Sequence, residues 1–358
     1  MGLSELERSG QSNVITLLGY MDYQITFSNL TLAFVWIGTC LAVFGTLAGY
    51  LSRLWWRFDL FTHFTAQYFY VLTGCSILFF ILGSLPGALV SGLFALLNLS
   101  RLLPFYFGGI SPYGNTPVSQ PEGEIQSHPY RIYNVLLANV LQLNNQHTKL
   151  LDLIRKENPD LIALVEVNQT WIDALEPALK GYCSSHQALR EDNYGLALYC
   201  RFPIHQVETR YFCEEDVPTI VAHLELENSP FIVIGTHPPP PKSLKESINR
   251  NQQLVAIGRY VSGQSGNKIV LGDLNITPWS PYFRETLVIS GLRNSQRGMG
   301  LQPSWPRKNP LLRVPIDHIL VSGGIKVLNR KLGPDIGSDH FPVILEFQVM
   351  KSDPASIP

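Results

Sequence analysis

Charge is scarce in this 358-residue chain: Asp, Glu, Lys and Arg make up 15% of it, against roughly 25% in an average soluble protein. The shortage is local. Residues 1–120 carry four Lys/Arg and four Asp/Glu, whereas 121–350 carry 22 and 23. A uniformly soluble protein is excluded, as are disordered, collagen-like and coiled-coil classes. Surplus positive charge is missing too. The formal net charge is −1, without the clustered Lys and Arg of a strongly basic nucleic-acid binder. Cysteine is sparse: Cys40, Cys75, Cys183, Cys200 and Cys213 form no Cys-x-x-Cys pair and no Cys/His zinc spacing. A disulfide framework and a zinc site are both unsupported. Also absent are the phosphate loop Gly-x-x-x-x-Gly-Lys-Ser/Thr, the elbow Gly-x-Ser-x-Gly and the dinucleotide fingerprint Gly-x-Gly-x-x-Gly. NTPase, serine hydrolase and dehydrogenase readings lose their main supports.

The chain does have apolar length. Residues 23–52 are free of charge, with a dense core at 30–51 (LTLAFVWIGTCLAVFGTLAGYL). About 20 apolar residues suffice to cross a bilayer as a helix. After Arg53, Arg57 and Asp59 a second uncharged run covers 60–100. It is too long for one crossing, and Gly83-Ser84-Leu85-Pro86-Gly87 predicts a turn within it. Further spans are expected at 67–82 and 88–107. Trp55, Trp56, Tyr68, Tyr70, Tyr106 and Phe107 fall at segment ends, where interfacial aromatics gather. The segments are apolar all round, unlike the helices of a soluble bundle. Residues 1–107 therefore read as a membrane anchor of two or three transmembrane helices, with the lipid bilayer as partner. The polar, mixed-charge stretch 1–22 argues against a cleaved signal peptide. Residues 108–128, rich in Gly, Pro and Ser, read as a linker. With three crossings, Arg53, Arg57 and Arg101 share a side with residues 129–349 while Arg8 lies opposite, which favours a cytoplasmic domain.

Residues 129–349 have the pattern of a globular domain, with a tail at 350–358. Short apolar runs predict strands over 131–138, 160–166, 195–200, 204–211, 219–226, 231–236, 268–273, 316–321, 325–332 and 341–348. Alternation in 219–226 predicts one wet face. Helices are expected over 147–157, 170–179 and 242–261. Many strands with few helices imply two packed sheets with helices outside, an α/β or α+β sandwich.

The informative polar residues stand where these strands end. Asn139, Glu166, His237, Asp273-Leu274-Asn275, Asp317-His318 and Ser338-Asp339-His340 each close or flank an apolar run. One such residue marks only where a strand meets solvent. Six endings drawn from Asn, Asp, Glu and His can instead gather at one rim. Hard oxygen donors without thiolates select Mg²⁺ or Mn²⁺. Carboxylates beside two imidazoles supply a metal site, a base for water and a donor for a developing anion. Hydrolysis of a phosphate ester calls on all three.

In order and spacing, these motifs resemble the endonuclease/exonuclease/phosphatase superfamily, the deoxyribonuclease-like fold of nucleases, neutral sphingomyelinases and inositol polyphosphate phosphatases. The resemblance rests on Asn139, Glu166, Gly195-x-Ala197-x-x-x-Arg201, Thr236-His237, Gly272-Asp273-Leu274-Asn275, Ile316-Asp317-His318 and Ser338-Asp339-His340. It implies a four-layer α/β/β/α sandwich with its site at one end of the paired sheets. It further implies Glu166 as principal Mg²⁺ ligand, with Asn139 and Asp339 on the metal or its waters. Asp273 would orient or deprotonate water, and Asn275 would hold a phosphate oxygen. His340, paired with Asp317, would bind the phosphate, and His237 would donate to another phosphoryl oxygen. Arg201 is expected in a structural or phosphate-edge role. His318 is assigned equally to function and to an outward-facing surface position. Trp305 lines the substrate cleft or packs a loop. The expected protein is a membrane-anchored, Mg²⁺-dependent (or Mn²⁺-dependent) phosphoesterase acting on a nucleic acid or a lipid head group. The competing class is a binding module that keeps the sandwich without catalysis.

Overall fold

The computed structural model describes residues 29–107 and 131–350. The expected linker at 108–128 and the tail from 351 lie outside these residues. Chain contacts divide the protein into two units. One is built on helices α1 (Asn29–Tyr50), α3 (Thr65–Ile81) and α4 (Leu85–Phe107). The other holds the globular domain, and the connector Leu51–His63 with its helix α2 (Trp56–Thr62) belongs to it, as does the chain from Leu102.

In the helical unit, α1 and α4 are long and apolar enough to cross a membrane, whereas α3 meets that length only when joined with α2, from which it is bent by 62°. Apolar side chains face outward, with Phe34, Leu41, Phe80, Leu89 and Leu93 exposed. Small and polar residues also face inward, beside the buried Leu72 and Phe79. Thr39 and Ser91 hydrogen-bond at 3.2 Å, and the Asn98 amide donates to Thr46 Oγ1 at 2.9 Å. Pro86 does not sit in the turn that its sequence context predicts. It occupies the first turn of α4, where a missing N–H costs nothing.

The globular unit contains two six-stranded sheets. In chain order the strands are β1 (Tyr133–Asn139), β2 (Leu161–Val165), β3 (Ser184–Ala188), β4 (Leu196–Cys200), β5 (Ile204–Tyr211), β6 (Pro218–Leu226), β7 (Ser229–Thr236), β8 (Asn267–Asp273), β9 (Arg293–Asn294), β10 (Asp317–Val321), β11 (Ile325–Leu332) and β12 (Val343–Val349). The sheets run β11-β12-β1-β2-β4-β3 and β5-β6-β7-β8-β10-β9. Helices α5 (His147–Glu157) and α6 (Gln169–Leu179) cover the first, and α7 (Leu244–Ser262) and α8 (Pro281–Ser290) cover the second. The period-two geometry of a strand explains the layering. Val135 and Leu137 of β1 enter the core between the sheets, whereas Leu136 and Ala138 turn to Leu150 and Leu153 of α5. The architecture is a four-layer α/β/β/α sandwich.

Two elements beyond those expected, β3 and α8, appear, and the expectation for β6 is corrected. Strand β3 is polar and pairs only with β4 at a sheet edge, so its sequence carries no apolar alternation. Helix α8 is started by Ser280, whose Oγ accepts from Tyr282 N, with Pro281 in the first turn. Strand β6 has no wet face over most of its length. Its Thr219 is buried against Thr236, with the Gln253 amide of α7 donating to both hydroxyls at 3.2 and 3.0 Å. A satisfied hydroxyl can be buried, and periodicity alone does not distinguish it from a solvated one.

Candidate active site

Sheet topology brings six chain segments to one rim. Parallel β1 and β2 end side by side at Asn139 and Val165, so Glu166 comes next beside Asn139. Antiparallel β8 and β10 pair Asp273 with Asp317, placing both side chains on one face. β7 delivers His237 just beyond Thr236, and the segment before β12 delivers Asp339 and His340. Glycine is required at position 272, near the end of β8, because a Cβ there would overlap the Thr236 carbonyl. Glu166 (φ 59°) and Asn275 (φ 51°) adopt left-handed backbone, strain that proteins hold at functional sites.

The side chains converge closely. Asn139 Nδ2 donates to Glu166 Oε1 at 2.9 Å and to Asp273 Oδ2 at 3.1 Å. His340 Nε2 and His237 Nε2 lie 3.6 and 3.7 Å from the same Asp273 oxygen. His340 Nδ1 donates to Asp317 Oδ2 at 2.8 Å. Asp339 stands at the mouth, where its Oδ2 accepts from Trp305 Nε1 at 2.8 Å, and the Trp305 ring lies 6.2 Å from that of His340. Trp305 therefore borders the cleft.

Burial and charge set the protonation states. Burial lifts the Asp273 carboxyl to about 6 against the pull of His340. It raises Glu166 as well, with the Asn139 amide opposing. Burial acts downward on His340, but Asp317 and Asp273 outweigh it and push the imidazole up to about 10. Asp317 is held low: burial would raise it, and His340 overcomes that. His237 is lowered by burial despite Asp273. One imidazole is thus cationic at neutral pH and the other neutral.

The tautomer of the neutral ring follows from its hydrogen-bond partner. His237 Nδ1 donates to the Asn193 carbonyl at 3.1 Å. In the neutral ring Nε2 then carries a lone pair, making it an acceptor or metal ligand rather than a donor. Asn139 is also turned. Its oxygen accepts from Leu141 N at 3.0 Å, so the nitrogen faces the carboxylates, and an amide nitrogen is no metal donor. Asn275 donates its side-chain N–H to the Pro238 carbonyl at 2.9 Å and its backbone N–H to Asp273 Oδ1 at 3.0 Å.

Arg201 does not join the cluster. β4 runs antiparallel to β2, with Leu196 at the Val165 end and Cys200 at the Leu161 end. Arg201 therefore lies at the opposite end of the sheet, bonded to Pro159 O and stacked on Tyr182. His318 is neither exposed nor in the site. It points to the other face of β10, packs on Phe283 and bonds the Ile276 carbonyl at 2.8 Å, and burial lowers its pKa to about 4. The sequence reading missed Asn193 and Tyr194, whose ring lies 5.6 Å from His237. Their signal was their position next to Gly195.

The donor set fits a divalent cation. Glu166, His237 and Asp273 offer ligand atoms within 4.8 Å of one another, as do Asp273, Asp317 and His340. Glu166, Asp273 and Asp317 stand with the cationic His340 imidazole and the buried Arg330 guanidinium, and Asp317 Oδ1 is buried with no hydrogen-bond partner. Carboxylate oxygens and an imidazole nitrogen this close together would suit a divalent cation.

Comparison with known proteins agrees with this geometry. The sequence profile of the Endonuclease/Exonuclease/phosphatase family matches residues 132–340, more than half of the chain. No curated protein gives a significant match. Among solved structures, an endonuclease/exonuclease/phosphatase family protein from Bacteroides thetaiotaomicron is 18% identical with a TM-score of 0.52, covering 63% of this chain and all of that one (100%). D. rerio TDP2 complexed with a single-strand DNA product is 15% identical with a TM-score of 0.53, covering 61% of this chain and 99% of that one. Truncated Caenorhabditis elegans TDP2 is 16% identical with a TM-score of 0.51, covering 61% and 98%. At these identities the likeness is one of fold.

Proposed function

Because this chain belongs to the endonuclease/exonuclease/phosphatase family, we propose that it is a membrane-anchored phosphoesterase, dependent on Mg²⁺ or Mn²⁺, that hydrolyses a phosphodiester or phosphomonoester with water. The observation that carries this reading is the Asp317–His340 pair set against the Asp273 and Glu166 carboxylates at one rim. Asp273, poised near neutrality, accepts the proton of the attacking water. His340, held protonated by Asp317, donates from Nε2 to a phosphoryl oxygen as negative charge builds on it. Asp317 fixes the orientation of that ring by accepting from Nδ1. Asn275 sits beside Asp273 to receive a phosphate oxygen, and Trp305 shields the mouth. Glu166 and His237 would hold the cation, with Asp339 at the entrance. When bound it polarises the phosphoryl group and lowers the pKa of bound water.

The test uses the full chain in nanodiscs with Mg²⁺. It is assayed against single- and double-stranded DNA, RNA, sphingomyelin, phosphoinositides and a chromogenic diester. Hydrolysis of one class, abolished by EDTA and not restored by zinc, is expected. Silence across the panel, or turnover in chelator, overturns the reading. The DNA complex of the TDP2 neighbour supports the nucleic-acid arm, and the apolar helices support the lipid arm.

For the anchor, the reading is three crossings by α1, α3 and α4 with the catalytic domain cytoplasmic. The connector docks on the globular unit that also contains the end of α4, which favours an even number of crossings, or none, between them. A phosphatase reporter fused after Pro358 should be silent; activity outside the cytoplasm overturns the assignment.

A further inference from the structure

The connector Leu51–His63 contributes one carboxylate to the interior of the globular unit. Asp59 of α2 is 2% exposed. Its Oδ2 holds Arg250 Nη2 at 2.6 Å, and its Oδ1 accepts from Ser280 Oγ at 2.6 Å. Arg250, on α7, is 1% exposed and has no other acidic partner among the described residues. Its remaining nitrogens are committed: Nη1 donates to the Asn275 carbonyl at 3.0 Å, and Nε donates to Asn251 Oδ1 at 3.0 Å. Asn275 in turn gives its backbone N–H to Asp273. A second contact braces the same stretch. Phe105, near the end of α4, meets the Trp279 ring edge-on at 5.9 Å.

We infer that Asp59 is a positioning residue for the active site: by fixing Arg250 it pins the Asn275 carbonyl and so the turn that carries Asp273. A buried ion pair is weak as a stabilising device, since its desolvation offsets most of its attraction. A guanidinium whose charge is neutralised by Asp59 can instead serve as a rigid donor to a backbone carbonyl. Without Asp59 the guanidinium is buried and unpaired. It turns toward water, releases Asn275, and the left-handed turn loosens. Asp59 alone thereby ties the connector between the first two apolar helices to the turn that follows Asp273. This rests on the reading of the site as a phosphoesterase centre, and deepens it.

The experiment uses the full chain in nanodiscs and compares Asp59→Asn, the double variant Asp59→Leu/Arg250→Met, and Arg53→Ala as control. Arg53 belongs to the same connector but pairs with Glu285 at the exposed surface. Asp59→Asn should lower kcat on the hydrolysed substrate by at least ~10-fold with KM within ~2-fold, the size of effect that misplacing a catalytic group produces. The apolar pair should recover the thermal midpoint, yet leave kcat low, because no donor reaches Asn275. Arg53→Ala should match wild type. Recovery of kcat together with stability in the apolar pair, or normal kcat in Asp59→Asn, overturns the inference. If wild type hydrolyses nothing, the phosphoesterase reading fails by itself, and amide hydrogen exchange over residues 273–280 decides this one. Faster exchange in both Asp59 variants upholds it, and exchange equal to that of Arg53→Ala refutes it.

Discussion

Asp273 accepts contacts from Asn139 and Asn275 and stands within 4 Å of two imidazoles, so its charge affects every neighbour. Replacing it by Asn leaves the shape but removes the base, and kcat should fall by at least ~10² with an unchanged circular dichroism spectrum. His237 offers a sharper discrimination. If its bare Nε2 accepts or ligates, His237→Ala should raise the Mn²⁺ concentration that half-saturates activity; a donor would cost kcat at unchanged metal requirement. A third expectation concerns pH in the metal-free protein. The folded-state pKa of His340 lies at about 10, above the ordinary 6.5. The stability it contributes is therefore complete below the unfolded value and is lost as pH rises through the folded one. In EDTA the thermal midpoint should drop toward pH 10, and Asp317→Asn should flatten that decline by removing the carboxylate that raises the imidazole.

At the scale of elements, the site depends on strands that end together and on turns that fit tightly between them. The end of β8 passes so near β7 that a Cβ at position 272 would overlap the Thr236 carbonyl, one residue before His237. Gly272→Ala should thus destabilise the fold by about 1–3 kcal/mol, the usual cost of overpacking, and reduce activity beyond what the lost stability explains. Denaturant unfolding monitored alongside kcat separates the two. Gly195 has the same constraint against the Val167 carbonyl, where its own carbonyl accepts from Val167 N at 3.2 Å. That contact locks the loop holding Asn193, which orients His237.

At the scale of the molecule, the globular unit includes a segment that the chain crosses an apolar helix to reach. Removing residues 1–120 leaves Arg250 buried without Asp59. Breaking such a pair from one side costs about 3–5 kcal/mol. The isolated domain should therefore melt well below the full chain, and Arg250→Met within it should raise its midpoint. A truncated domain as stable as the full chain would contradict this.

Much of this was legible in one dimension because it obeys local rules. Charge-free length set apart the apolar helices, and short continuous apolar runs located β1, β2, β4, β7 and β8 close to their observed limits. The rim residues were legible because a polar side chain after a buried strand has few places to go. Other features depended on where distant segments meet. Arg201 occurs within a motif of the family, yet β4 runs antiparallel to β2 and carries it to the far end of the sheet. His318 comes directly after Asp317, and the alternation of β10 sends it into the core. The polarity of His237 comes from the Asn193 carbonyl, 44 residues away, and that of Arg250 from Asp59, 191 residues away. Propensity and periodicity act over a few residues, so they specify elements and their faces. Protonation states, tautomers and ion pairs are set by the field and desolvation at a point in space, and only the tertiary structure brings the groups that make that field together.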